Sequence, residues 1–156
     1  MNIRIELKEW ACKIDWDISA TLTFADELSS SKVNELVRRF WNRVDGKLYG
    51  NASKRYNKHC QRVMFLEGSE NGIRYHYHAA IKTPVDRFAD TDEFCRFLRR
   101  QWRNECAHNR IVEFKPITDI KGWVGYITKR IETGNCDTFD VYSSHITVAD
   151  LLNKPD

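Results

Sequence analysis

No apolar run in this sequence approaches the ~20 residues a membrane-spanning helix needs, and the opening MNIRIELKEW lacks the apolar segment of a secretory signal. Both absences lead to the expectation of a cytoplasmic protein with no membrane partner. Cysteine is neither paired nor clustered: Cys12, Cys60, Cys95, Cys106 and Cys136 are odd in number and scattered, with no C-x-x-C motif. That pattern argues against a disulfide framework or a zinc ribbon and leaves reduced thiols. The chain has no G-x-x-x-x-G-K-[ST] loop, so it is no P-loop nucleotide motor. Internal repeats, low-complexity tracts and linkers are also missing, so residues 1–156 are expected to form a single domain.

What remains is an ordinary globular composition, 42% hydrophobic and 30% charged, in which charge is unevenly placed. Between Gly46 and Arg62 there are cations at Lys47, Lys54, Arg55, Lys58 and Arg62, no acid, and tyrosines at 49 and 56. A cationic segment interleaved with aromatics suits a nucleic-acid backbone and unstacked bases, which makes Lys47, Lys54, Arg55, Tyr56 and Lys58 candidate DNA contacts. A solvated basic loop has the same composition. After Glu132 the balance turns acidic.

Periodicity gives the elements. Ile18 to Ala25 alternates Ala20, Leu22 and Phe24 with Ser19, Thr21 and Thr23 and reads as a strand; its threonine face offers Thr21 and Thr23 to phosphates. Ser29, Ser30 and Ser31 offer N-caps to a helix whose stripe is Val33, Leu36, Val37, Phe40, Trp41 and Val44, ending near Gly46. A second helix, capped by Asp90, Thr91 or Asp92, carries Phe94, Phe97, Leu98 and Trp102 on one face and arginines on the rest. RIVEFKPI, 110–117, reads as an edge strand because Pro116 cannot donate to a ladder. Asp119 or Thr118 can start a third helix with the stripe Ile120, Trp123, Val124, Ile127 and Ile131. A further strand over 140–148 and a short helix before Asn153 fit the remainder. The order of elements predicts an α+β fold, ferredoxin-like or RRM-like, with helices packed on a mainly antiparallel sheet and a central hairpin.

That hairpin is the stretch RVMFLEGSENGIRYHYHAAIKT, in which Asn71-Gly72 is the strongest short signal for a two-residue turn. Counting back from the turn sets Glu67 opposite His76 and Phe65 opposite His78. Side chains alternate across a strand, so His76 and His78 face the same way, ~6.6 Å apart, and Glu67 joins them from the neighbouring strand. Two imidazoles and one carboxylate with coordination positions left open are the donor set of a catalytic divalent-metal site. His-x-His without the glutamate would suit a solvated strand face equally well.

In the third helix, Gly122, Tyr126, Lys129 and Arg130 fall on a face beside the apolar stripe. Gly122 and Gly125 each cost helix stability, roughly 1 kcal/mol against alanine, which close approach of a backbone or substrate would explain. A tyrosine is a suitable nucleophile toward a phosphodiester because its phenol ionises more readily than an aliphatic hydroxyl, and the aryl ester it forms can be reversed by a free sugar hydroxyl. Lys129, one turn away, could offset charge in the transition state.

Taken together, Thr21-Leu22-Thr23-Phe24, His76-Tyr77-His78 with upstream Glu67, and Tyr126-Ile127-Thr128-Lys129 resemble, in order, the motifs of the HUH endonucleases, and among them the single-tyrosine rolling-circle replication initiators. The likeness covers about residues 20 to 130. It implies Mg²⁺ or Mn²⁺ held by Glu67, His76 and His78, with Tyr126 as nucleophile and Lys129 as its helper. It implies nicking of single-stranded origin DNA through a 5′-phosphotyrosine, later rejoining, and a separate helicase as partner. Tyr77 departs from the aliphatic residue usual between the two histidines. A single-tyrosine transposase of the same superfamily would carry similar motifs. A non-catalytic ferredoxin-like module that stacks single-stranded nucleic acid on Tyr49, Tyr56, Tyr75 and Tyr77 would need no metal and form no adduct.

Overall fold

The structure, a computed structural model, describes residues 3–68, 74–105, 112–129, 131 and 138–147. In chain order the elements are α1 (Ile3–Cys12), β1 (Ile18–Leu22), α2 (Ser30–Tyr49), α3 (Ala52–Arg55), β2 (Arg62–Glu67), β3 (His76–Ile81), α4 (Thr91–Glu105), β4 (Val112–Pro116) and α5 (Ile120–Ile127). The four strands form one sheet in the order β2-β3-β1-β4, and every adjacent pair is antiparallel. This α+β architecture, with helices packed on the sheet, has the strand order of a ferredoxin-like fold.

Two apolar clusters hold three layers together. Ala20, Leu22, Met64, Tyr77, Ala79 and Ile81 turn one face of the sheet toward Val33, Val37, Phe40 and Trp41 of α2 and Phe94, Leu98 and Trp102 of α4. Phe40 sits edge-to-face on Trp102, ring centroids 5.1 Å apart. Truncating Phe40 to alanine would cost about 3–5 kcal/mol. On the opposite face Val63, Phe65 and Ala80 meet Ala11, Ile14 and Trp16 from the α1 region and Val124, Ile127 and Ile131 from the α5 region. A helix therefore lies across the sheet face that carries the histidines.

Several boundaries differ from expectation. The helix expected to stop near Gly46 runs to Tyr49, capped by Ser29 at its start and by Gly50 (φ 55°) at its end. Gly46 is exposed, with nothing within 4 Å of a notional Cβ, and buried Val44 and Leu48 carry the helix through it. The hairpin is only half central: β3 is interior, whereas β2 lies at the sheet edge. Its outer side is partly covered by isolated bridges from Arg62 to His145 and from Phe65 to Phe139. The strand expected over 140–148 is interrupted because Asp140 Oδ1 accepts from the backbone N–H of Tyr142 and of Ser143 and turns the chain; Val148 and the helix before Asn153 lie outside the described residues. The expected edge strand is β4, and its Arg110 and Ile111 lie outside the described residues, as does the Asn71-Gly72 turn. Among the described residues no helix is long and apolar enough to cross a membrane.

Candidate active site

The register of the hairpin is the one the turn count predicts: Glu67 pairs with His76 and Phe65 with His78. Glu67 and His78 are buried, at 5% and 4% exposure, and His76 is half-buried. One donor atom from each lies within 4.8 Å of the others. Each histidine is fixed through its other ring nitrogen. His76 Nδ1 is 3.0 Å from the carbonyl of Arg74, and His78 Nδ1 is 3.1 Å from Thr21 Oγ1. With both Nδ1–H groups donating, the two Nε2 atoms carry the lone pairs. Outer hydrogen bonds of this kind set the tautomer and ring orientation of metal-binding histidines.

The trio is not satisfied internally. His76 Nε2 and His78 Nε2 stand 3.4 and 3.5 Å from Glu67 Oε2, beyond the 2.7–3.2 Å usual for an N–H···O bond. Glu67 Oε1 and His78 Nε2 are buried without any hydrogen-bond partner. Burial pushes the His78 pKa down to about 4, and the neighbouring His76 and Lys129 push the same way, so its imidazole is neutral at physiological pH. A buried carboxylate beside neutral imidazoles lacks a compensating charge, and leaving it so is costly. A bound cation would supply the charge and use both orphaned atoms. The donor set fits a divalent metal with open positions.

The α5 helix brings the tyrosine to this trio. Asp119 caps it, accepting from the backbone N–H of Gly122, and the Trp123 indole N–H donates to the carbonyl of Ala79 at 2.9 Å, which pins the helix to β3. The Tyr126 ring lies 5.1 Å from the His78 ring and 5.5 Å from that of Trp123. At 45% exposure it is open to a ligand from solvent. Lys129, beyond the end of α5, holds its ammonium 3.7 Å from the centre of the Tyr126 ring. Arg130 lies outside the described residues.

The glycines of α5 have local reasons, which corrects the substrate-approach reading. A Cβ at Gly122 would come within 2.1 Å of the capping carboxylate of Asp119, and one at Gly125 would face only the Lys8 side chain at ordinary contact distance.

The other candidates sit elsewhere. Thr21 turns its hydroxyl to His78, and Thr23 lies just past the end of β1. Lys47, Lys54, Arg55, Tyr56 and Lys58 are all exposed on and after α2 and α3, where the chain leads into the Arg62 end of β2; the trio is at the Glu67 end. At ~3.3 Å per residue the two ends of β2 are roughly 17 Å apart. Arg62 itself leaves the basic surface: it is buried, with Nη1 3.0 Å from Asp45 Oδ2 and its guanidinium 4.1 Å above the Trp41 ring. Sequence reasoning assigned Trp123 to the core stripe, yet it lines the site 5.7 Å from His78. Thr21 was legible as polar, but its link to His78 follows only once β1 is known to pair with β3.

Comparison with known protein families matches residues 17–135 to the family Replication-associated protein ORF2. The chain belongs to this family. The match includes the trio, Tyr126, Lys129 and the cationic segment, and it places the protein among those associated with replication. No curated protein and no solved structure matches the chain.

Proposed function

We propose that this replication-associated protein is a single-tyrosine HUH endonuclease and strand transferase that nicks single-stranded origin DNA in the host cytoplasm and later rejoins it, initiating rolling-circle replication. The observation that carries the reading is the approach of the Tyr126 ring to His78 beside two buried, unpartnered donor atoms. Glu67 Oε2 and the Nε2 atoms of His76 and His78 would hold Mg²⁺ or Mn²⁺. When bound, the ion would polarise the scissile phosphate and orient it for in-line attack. Thr21 and the Arg74 carbonyl keep the two imidazoles in the ligating tautomer. The Tyr126 phenol oxygen attacks phosphorus, the bond to the 3′ oxygen breaks, and the phenolic proton leaves so that the departing sugar carries a 3′-hydroxyl. The product is a 5′-phosphotyrosine that a 3′-hydroxyl can attack in reverse, so no ATP is consumed. Lys129, with its ammonium over the tyrosine ring, offsets negative charge as it gathers on the phosphorus oxygens. Thr23 and the exposed cations from Lys47 to Lys58 would track the strand, and a separate helicase would open the duplex.

Labelled single-stranded oligonucleotide incubated with Mn²⁺ and run on a denaturing gel tests the proposal. We expect a covalent protein–DNA band that EDTA abolishes and that Tyr126→Phe does not form. A band surviving Tyr126→Phe would remove Tyr126 as nucleophile.

A further inference from the structure

At the far end of the sheet from the trio, the chain between α3 and β2 and the loop after β3 enclose a cleft of about 470 Å³. That volume lies within the ~300–1,000 Å³ of sites that hold small organic ligands. Its lining includes Tyr56, Lys58, His59, Lys82, Val85 and His145. Tyr56 and Val85 are 78% and 87% exposed, so an aromatic ring and an aliphatic side chain stand open to solvent at this site. The His59 and His145 rings add two more flat groups with centroids 4.4 Å apart. Charge on the lining is mainly positive. Lys58 stands 4.9 Å above the Tyr49 ring, and the one acid of the lining, Asp86, has the Arg87 guanidinium 3.5 Å from its carboxylate. Lys54 and Arg55 project from the adjacent α3.

Exposed aromatic rings beside ammonium groups, in a cleft of this size, match the chemistry of one nucleotide: a planar base with a phosphate on either side. A duplex keeps its bases stacked inside and cannot offer one to such a cleft. We propose that the cleft is a second single-stranded DNA site, which takes an unstacked base against Tyr56 and its flanking phosphates on Lys58 and Lys82. The proposal rests on the reading of the chain as a single-strand DNA enzyme, and it separates the point where the strand is held from the point where it is cut. The separation explains why the cationic segment lies at the opposite end of β2 from Glu67.

Fluorescence anisotropy of a labelled dT20 oligonucleotide in EDTA tests it without cleavage. Tyr56→Ala should raise Kd about tenfold, and Lys58→Ala should flatten the slope of log Kd against log salt by about 0.7. Both side chains are exposed, and circular dichroism will confirm the fold. At saturating dT20 with Mn²⁺, Tyr56→Ala should form as much covalent adduct as the parent protein. If the parent forms no adduct, the catalytic reading fails while the binding data still judge the cleft. Kd within twofold of the parent for both variants would overturn the proposal, as would an equal loss on a dA20·dT20 duplex. Tenfold tighter binding of rU20 than dT20 would assign the cleft to RNA and overturn it as well.

Discussion

Two carboxylates are buried in this molecule, each beside histidine, and they are treated in opposite ways. Asp45, 2% exposed, is fully engaged. Its Oδ1 accepts from the Cys60 backbone N–H at 2.8 Å, Arg62 Nη1 approaches both oxygens, and His59 Nδ1 is 2.9 Å from Oδ2. Glu67, similarly buried, keeps one oxygen without a partner and has two imidazole nitrogens just beyond hydrogen-bond distance of the other. A satisfied carboxylate ties elements together; here Asp45 locks α2 to the start of β2. An unsatisfied one raises the energy of the ligand-free fold and is explained by what it awaits. The contrast separates architecture from chemistry without reference to any relative.

The largest expected effect is on the satisfied side. Asp45→Ala leaves the Arg62 guanidinium buried without its partner, which should cost about 3–5 kcal/mol in urea unfolding. A loss below ~1 kcal/mol would mean the network is not what holds α2 to β2. Next comes pH. The unfolded chain protonates His78 near the ordinary value of 6.5, whereas burial holds the folded pKa at about 4. Between those values the unfolded state binds more protons, so metal-free stability should fall as pH drops through that window and be retained above it. Urea midpoints at pH 7 and 4.5 in EDTA should differ less in His78→Asn than in the parent; equal differences would remove His78 as the cause. Thr21→Val should weaken Mn²⁺ binding about tenfold, the lower end for loss of an outer hydrogen bond to a ligating histidine. Unchanged affinity would return Thr21 to the set of phosphate contacts. The smallest effect is expected for Glu67→Gln without metal: it removes an uncompensated charge at constant volume, so stability should stay within ~1 kcal/mol or rise. A cost matching that of Asp45→Ala would erase the distinction between the two carboxylates.

The sequence was most informative where period and count suffice. Alternation in β2 and β3, with the residue count around Asn71-Gly72, gives the pairing of Glu67 with His76, because a slip of one residue would put Tyr77 and Met64 on the metal face. The stripes of α2 and α4 were legible because their apolar residues recur over several turns. The α1 helix was not: Ile3, Ile5 and Leu7 alternate with polar residues as in a strand, and the helical repeat begins only with Leu7, Trp10 and Ala11. At four residues, α3 is too short to show a period. Missing α1 hid the third layer, and with it the reason that Gly125 faces Lys8 rather than a substrate. Trp123 was misplaced because an indole on an apolar stripe looks like core until its N–H is seen donating to the Ala79 carbonyl. The distance between the cationic segment and the trio was equally hidden, since linear order does not tell which end of a strand a loop serves.

Isothermal titration of Mn²⁺ into the metal-free protein is the most direct test of an open carboxylate poised for a cation. We expect one ion bound per chain in the parent and no binding in Glu67→Gln, with both proteins equally folded. Binding of the ion by Glu67→Gln with the parent's affinity would contradict that picture.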